Sequence, residues 1–362
     1  MTDEKESVEF DGLICPVPLA HNSRIVLGHG SGGRMSRDLI EGTFFPPFDN
    51  PILRAGDDAA VLDLDNGLRI AISTDAHVIS PIEFPGGDIG RLAICGTVND
   101  LSMMGAIPLY ITASFMLEEG LAIPRLVAIT NSMRAAAEEA GILIVAGDTK
   151  VVEKGKVDEI FISTTGIGRI REGVNIYGRN AQPGDVVIIS GTIGDHGIAV
   201  LSARGDLGFE ANIQSDVAPL NSLVADMLQG AEVSKGVNGI HVLRDPTRGG
   251  LATALNEIAV QSQVSITISE DAVPVRQPVL AACEILGFDP LYIANEGKLI
   301  AIVSEDCADL VLASMRANQL GRDAAVIGEV TSGPPGKVLL KTSIGTTRVV
   351  DMLAGELLPR IC

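Results

Sequence analysis

Short aliphatic runs alternating with longer amphipathic ones constrain this chain more than any other feature. "LRIAIST", "PLYITASFML", "ILIVAGDTKVV", "EIFISTTGIGRI", "DVVIIS", "VSITISED", "KLIAIVSE" and "AAVIGEV" have the length and β-branched content of strands. Between them, "PRLVAITNSMRAAAEEAG", "PVLAACEILGF" and "CADLVLASMRAN" read as helices, the first closed by Gly141. Aromatic residues make up only 3% and there is no Trp, so the cores must be built from Ile, Val, Leu and Ala. This pattern predicts an α/β (α+β) chain, and 362 residues predict two domains.

The expected layout is an extension of uncertain order over residues 1–22, a first mixed α/β domain over 23–172, a second over 173–345, and a mobile tail over 346–362. Pro183-Gly184 marks an early turn of the second domain, and "SGPPGKVLLKTSIGTTRVV" predicts one strand or two. Pro359 keeps Arg360, Ile361 and Cys362 out of any helix. "DIGRLAICGTVNDLSMMGA" is apolar nearly all round and is predicted to be a buried helix.

The net charge of -19 repels phosphate backbones and argues against nucleic acid as a partner. No apolar run reaches the roughly 20 residues of a membrane span, and "MTDEKESVEF" does not read as a signal peptide, so a cytoplasmic location is expected. Five cysteines without a CxxC pair indicate neither a disulfide framework nor a zinc site; Cys95 and Cys283 read as buried filler.

Acidic residues recur at the ends of apolar strands or at helix starts, where a side chain can reach a cleft: Asp57 and Asp58, Asp75, Asp100, Asp148 and Asp245. Each also has a plain structural reading, such as a turn former or, for Asp245 before Pro246, a helix cap. Asp100 is harder to explain that way, since a carboxylate inside an apolar helix costs several kcal/mol if unpaired and so needs a metal or cationic partner. Dispersed carboxylates converging on a triphosphate suit Mg²⁺.

Glycine-rich "GHGSGG", "SGTIGDHG" and "TRGGL" allow close backbone approach to phosphate, although none is a P-loop or a dinucleotide fingerprint. Lys150 alternates to the same side of a strand as Asp148, as a salt bridge or as an oxyanion contact. Glu296 reads as a turn residue or as a base at a strand edge. His196 reads as a loop histidine. A chain that ends in a lone thiol, Cys362, needs a reason for it.

"GDDAAV", "STDAH", "VNDLSMMGA", "AGDTKVV", "ISGTIGDHGIAVL", "DPTRGGLA" and "NEGKL", in this order and closed by "PRIC", resemble the HypE family of hydrogenase maturation factors. That family lies within the wider group of aminoimidazole ribonucleotide synthetase, selenophosphate synthetase and thiamine-monophosphate kinase. The resemblance covers about Ile25 to Cys362; residues before it, including Cys15, fall outside. It implies two α/β domains, the first an ATP-binding domain that pairs with its twin into a dimeric β-barrel. It implies ATP-dependent dehydration of a carbamoyl group on Cys362 to a thiocyanate, which provides the cyanide ligand for the iron of a [NiFe] hydrogenase. The implied partners are a HypF carbamoyltransferase and the HypC–HypD complex. The resemblance places Mg²⁺ on Asp58, Asp75, Asp100 and Asp245, and ATP against Gly30, Gly32, Gly33, Asp57, Asn99, Asp148 and Thr149. Catalysis falls to Cys362, Glu296 and Lys150. A small-molecule synthetase or kinase of the same superfamily, or a non-catalytic nucleotide-binding scaffold, are the alternatives.

Overall fold

A computed structural model describes residues 24–205, 212–235, 239–355, 358 and 360–362. The extension 1–22 and Cys15 lie outside the described residues. The first domain runs through α1 (Arg34–Leu39), α2 (Phe45–Phe48), β1 (Ala60–Asp63), β2 (Arg69–His77), a small hairpin of β3 (Glu83–Phe84) and β4 (Gly87–Asp88), α3 (Ile89–Met103), β5 (Ala106–Glu118), α4 (Ile123–Ala140), β6 (Leu143–Val152) and β7 (Ile160–Ile170). Its sheet has the order β1-β2-β7-β5-β6. Neighbours are antiparallel except β5 and β6, which are parallel because α4 carries the chain back across. The sheet is mixed and open, with β6 at one edge.

The predicted buried helix is α3. Asp88 caps it by accepting from the amides of Gly90 at 2.7 Å and Arg91 at 2.9 Å, and every residue but Arg91 and Asp100 is buried. Its apolar circumference is explained by its neighbours: β2, β5 and β7 on one side, α4 on another, and α6 and β9 of the second domain beyond. A Cβ on Gly90 would stand 2.5 Å from the Ile129 carbonyl, so only glycine lets α3 and α4 approach here.

The second domain contains β8 (Val186–Ile189), α5 (Asp195–Ala203), α6 (Asn221–Lys235), β9 (Ile240–Arg244), α7 (Gly250–Ser262), β10 (Ser265–Ser269), α8 (Gln277–Leu286), β11 (Ile300–Val303), α9 (Glu305–Ala317), β12 (Ala325–Thr331), β13 (Lys337–Lys341) and β14 (Thr347–Val350). The sheet order is β14-β13-β10-β12-β8-β11-β9. The stretch after Ser332 thus forms two strands, and β14 extends the sheet past the expected domain end at 345. Cys95, Cys283 and Cys307 are free and buried. Among the described residues no helix is long and apolar enough to cross a membrane.

Beyond β14 the chain turns back onto the first domain. The Arg34 amide donates to the Leu353 carbonyl at 2.8 Å, and the last three residues lie antiparallel to the end of β2. Val78 N donates to Cys362 O at 3.1 Å and Ser80 N to Arg360 O at 3.3 Å, while Arg360 pairs with Asp158. Ile361 is buried in the core around α3 and α4. Burying such a side chain contributes about 1.5–3 kcal/mol, and each added hydrogen bond about 0.5–1.5 kcal/mol. A grip of that size docks the terminus and still permits release.

Candidate active site

A cavity of about 710 Å³ is lined by residues from both domains, a size suited to a small-molecule ligand. Asp57 and Asp58 precede β1, Asp75 lies near the end of β2, Asp100 projects from α3, Arg244 ends β9 and Asp245 follows it. The strand ends and the one gap in α3's apolar surface therefore deliver the predicted metal set, Asp58, Asp75, Asp100 and Asp245, to one place.

The electrostatics are those of an anion cluster short of cations. Arg244 Nε stands 3.3 Å from Asp58 Oδ1, yet burial pushes the Asp58 carboxyl up to about 7. Asp100 is pushed well above the carboxylate range by burial and by Asp75, Asp245 and Asp58, even though the Ser73 hydroxyl donates to it at 2.5 Å. Asp245 is raised by burial, Asp58 and Asp75. All these donors are hard oxygens, which fits Mg²⁺. Among the described residues no three acidic, His or Cys side chains converge tightly enough to enclose an ion. The set therefore suits an ion that takes one or two carboxylates and completes its shell with phosphate oxygens and water.

A second cavity of about 240 Å³ contains the end of the chain, with Gly30, Ser31, Val78, Ala294 and Cys362 on its walls. Arg248 lines both cavities, and its Nη1 donates to the Gly30 carbonyl at 3.0 Å. Its guanidinium is held above its ordinary range first by Cys362, then by Asp75, Glu296 and Asp100. Arg248 therefore stands where the terminal thiol meets the acidic cluster. It follows β9 in a turn closed by Gly249 and Gly250, with φ of 77° and 60°; the helix cap is Gly249, so the capping role open to Asp245 is overturned.

The Cys362 thiol lies against the Glu296 carboxyl, and burial pushes the thiol up to about 12. Burial thus favours the neutral thiol over the thiolate in the docked position, against the pull of Arg248. Glu296 is buried, one of its oxygens has no hydrogen-bond partner, and burial with Asp245, Asp216 and Asp75 raises it well above its ordinary value. Its backbone is fixed by Asp216, which accepts from Glu296 N at 3.1 Å, and by Asn99, whose Nδ2 donates to Glu296 O at 3.3 Å.

Several sequence assignments change. Asn99 is not on the cavity wall: its amide also donates to Ala218 O at 3.1 Å and accepts from Leu220 N at 2.8 Å, so it ties α3 to the second domain. Gly33 makes room for protein, since its Cβ would stand 2.1 Å from the Leu353 carbonyl; Gly32 lines the acidic cavity beside Arg248, and Gly30 lines the tail cavity. Asp148, Thr149 and Lys150 lie on β6, three strands from β2, or about 14 Å at the usual strand spacing. There Lys150 pairs with Asp148 at 2.9 Å in solvent, the salt-bridge reading, away from the cluster of its own chain. His196, dismissed as a loop residue, is fully buried and bonded to the tail at the Ile361 carbonyl. Arg248 lies in the glycine-rich "TRGGL" and His196 in "SGTIGDHG", yet neither motif reveals that its side chain meets the distant terminus.

Residues 56–170 match the family described as AIR synthase related protein, N-terminal domain, and residues 182–341 match its C-terminal domain. A curated relative, carbamoyl dehydratase HypE of Cupriavidus necator, is 53% identical over 341 residues, which span 94% of this chain and 95% of that one. Among solved structures, hydrogenase maturation protein HypE in complex with ATP is 50% identical with a TM-score of 0.77, covering 94% of this chain and 100% of that one. A HypE–HypF complex is 51% identical with a TM-score of 0.81, covering 87% and 99%. With both domain matches in place and half the residues shared along nearly the whole length, the chain belongs to the AIR synthase related family and, within it, to the carbamoyl dehydratase HypE group.

Proposed function

We propose that the chain is an ATP-dependent carbamoyl dehydratase whose substrate is carried on its own terminal thiol. The carbamoyl group on Cys362 becomes a thiocyanate, and its cyanide goes to the iron of a [NiFe] hydrogenase. One observation carries this reading: Cys362 is docked between a buried carboxyl, Glu296, and an arginine, Arg248, that borders the acidic cavity. A small-molecule kinase of the same fold has no use for a terminal thiol in that position.

An S-carbamoyl group does not lose water unaided, because hydroxide is a poor leaving group. Transfer of the ATP γ-phosphoryl to the carbamoyl oxygen forms an O–P bond and releases ADP. The C–O bond then breaks with phosphate as leaving group, the nitrogen gives one proton to Glu296 and the other to the departing phosphate, and S–C≡N remains. Glu296 takes an amide proton, a task suited to a carboxyl of raised pKa and a free oxygen. Arg248 neutralises charge on the transferring group, an electrostatic role worth a few kcal/mol. Asp58, Asp75, Asp100 and Asp245, with Asp57 beside them, would hold Mg²⁺ and the triphosphate, and Gly32 would border the phosphates. Mg²⁺ supplies charge neutralisation on the phosphates when bound.

The high pKa of the docked thiol makes it a poor nucleophile in this site. Loading therefore takes place with the tail undocked, on a HypF-type carbamoyltransferase, and the HypC–HypD complex receives the cyanide. A cytoplasmic setting accords with free cysteines and reduced-thiol chemistry.

The functional unit is a homodimer in which the two first-domain sheets join into a barrel. Support comes from β6: nearly all of it is exposed, including Leu143, Val145 and Val151, an unusual edge for a monomer in water. Asp148, Thr149 and Lys150 then serve the acidic cavity of the other copy. Mixing Lys150→Ala with Asp100→Asn protein is expected to restore dehydration that neither variant shows alone. Failure of the mixed dimers, with exchange demonstrated, would return Lys150 to its salt bridge. The function as a whole is tested by whether ATP removes one water from the carbamoylated C-terminal peptide.

A further inference from the structure

We infer that His196 is a positioning residue for the reaction: it holds the last peptide group of the chain and thereby aims the load on Cys362. His196 Nε2 is 2.7 Å from the Ile361 carbonyl oxygen. A carbonyl only accepts, so Nε2 carries the proton; full burial lowers the ring's pKa and favours the neutral form, in which Nδ1 is bare. Nδ1 in turn lies 2.8 Å from the Ser215 hydroxyl, which must donate to it. Ser215 Oγ meanwhile accepts from Val217 N at 3.1 Å. The chain of donors runs one way, from Val217 through Ser215 and His196 to the tail, and it fixes the tautomer. The ring is fully buried and meets Phe84 edge to face, with centroids 5.4 Å apart.

The start of α5, which carries His196, is pinned to the residues just before Glu296. Gly194 N donates to the Asn295 side chain at 2.8 Å, and Gly197 N donates to Ala294 O at 3.1 Å. The residue that grips the tail and the base that faces its sulfur thus share one rigid unit. The other polar grips on the last residues fall elsewhere: Ser80 N and Arg204 bind Arg360 O, and Val78 N binds Cys362 O. His196 alone among the described side chains bonds the carbonyl of the peptide that bears the Cys362 nitrogen. Misplacing a reacting group by about 1 Å can cost on the order of 10²-fold in rate, so losing this grip slows dehydration without altering nucleotide binding.

This deepens the dehydratase reading and rests on it for its kinetic arm, whereas a spectroscopic arm does not. Full-length protein labelled with ¹⁵N-histidine is expected to show His196 as a neutral Nε2–H ring whose signals move when residues 360–362 are deleted. A ring that ignores that deletion overturns the proposal. In single-turnover dehydration, His196→Leu is expected to be at least about 10-fold slower, with ATP affinity unchanged. His196→Gln, which keeps a donor, is expected to recover most of the rate. His196→Leu at the wild-type rate, or both variants equally slow, would also overturn it. Should the wild type form no thiocyanate, the functional reading fails and the ¹⁵N signals alone decide the grip.

Discussion

Replacing Glu296 by Gln is expected to give a folded protein that accepts carbamoyl on Cys362 and binds ATP, yet forms thiocyanate about 10²–10⁴-fold more slowly, the range lost with a general base. The substitution keeps shape and hydrogen-bonding reach but removes the proton acceptor. It also removes an ionisable group whose charged form burial disfavours, so folding should not suffer. The pH profile carries the same signature. A base must be deprotonated, and Glu296 is raised from 4.5, so the ascending limb of the rate should lie well above that value and vanish in Glu296→Gln. Full dehydration by the variant, read by mass spectrometry, would place the base elsewhere.

Asp100→Asn should act in opposite directions on stability and activity. Asp100 has its folded pKa raised well above 3.8, so the unfolded chain gives up its proton first. Its contribution to the stability of the nucleotide-free protein is therefore unfavourable, growing as pH rises from about 4 toward the folded pKa. Asparagine cannot ionise and keeps a partner for the Ser73 hydroxyl. The variant should melt higher than wild type at about pH 8, by on the order of 1–3 kcal/mol in stability, and the gain should fade toward about pH 4. ATP turnover should nevertheless collapse, since the charge that strains the empty site is the one that holds the nucleotide's counterion. A lower melting temperature at pH 8, or normal turnover, would remove Asp100 from the metal set.

Much of the fold is legible in the sequence because strand and helix periodicity is local. The Asp88 cap, the Gly141 stop and the apolar circumference of α3 are all written in adjacent residues. The site is legible in part for a related reason: Asp75 lies near the end of an apolar strand, Asp245 follows one and Asp58 precedes one, and such ends converge in α/β folds. Asn99 misleads because a polar residue beside Asp100 on a buried helix can point into the cavity or satisfy backbone groups, and only the packing of residues 218–220 decides. Gly33 misleads similarly, since glycine signals close approach without saying to what. The docked tail, its bond to His196 and its meeting with Arg248 join segments far apart in the chain. α6 and β9 fall in a stretch without strong punctuation, and the sequence gives no assignment there.

The central claim is that the machine works on its own last residue. Purified protein, carbamoylated by its donor, is to be incubated with Mg²⁺ and either ATP or a non-hydrolysable analogue, and the C-terminal peptide weighed intact. The account predicts that ATP alone removes one water from the adduct on Cys362, with ADP formed in step. A carbamoyl adduct that persists unchanged while ATP is consumed would contradict it.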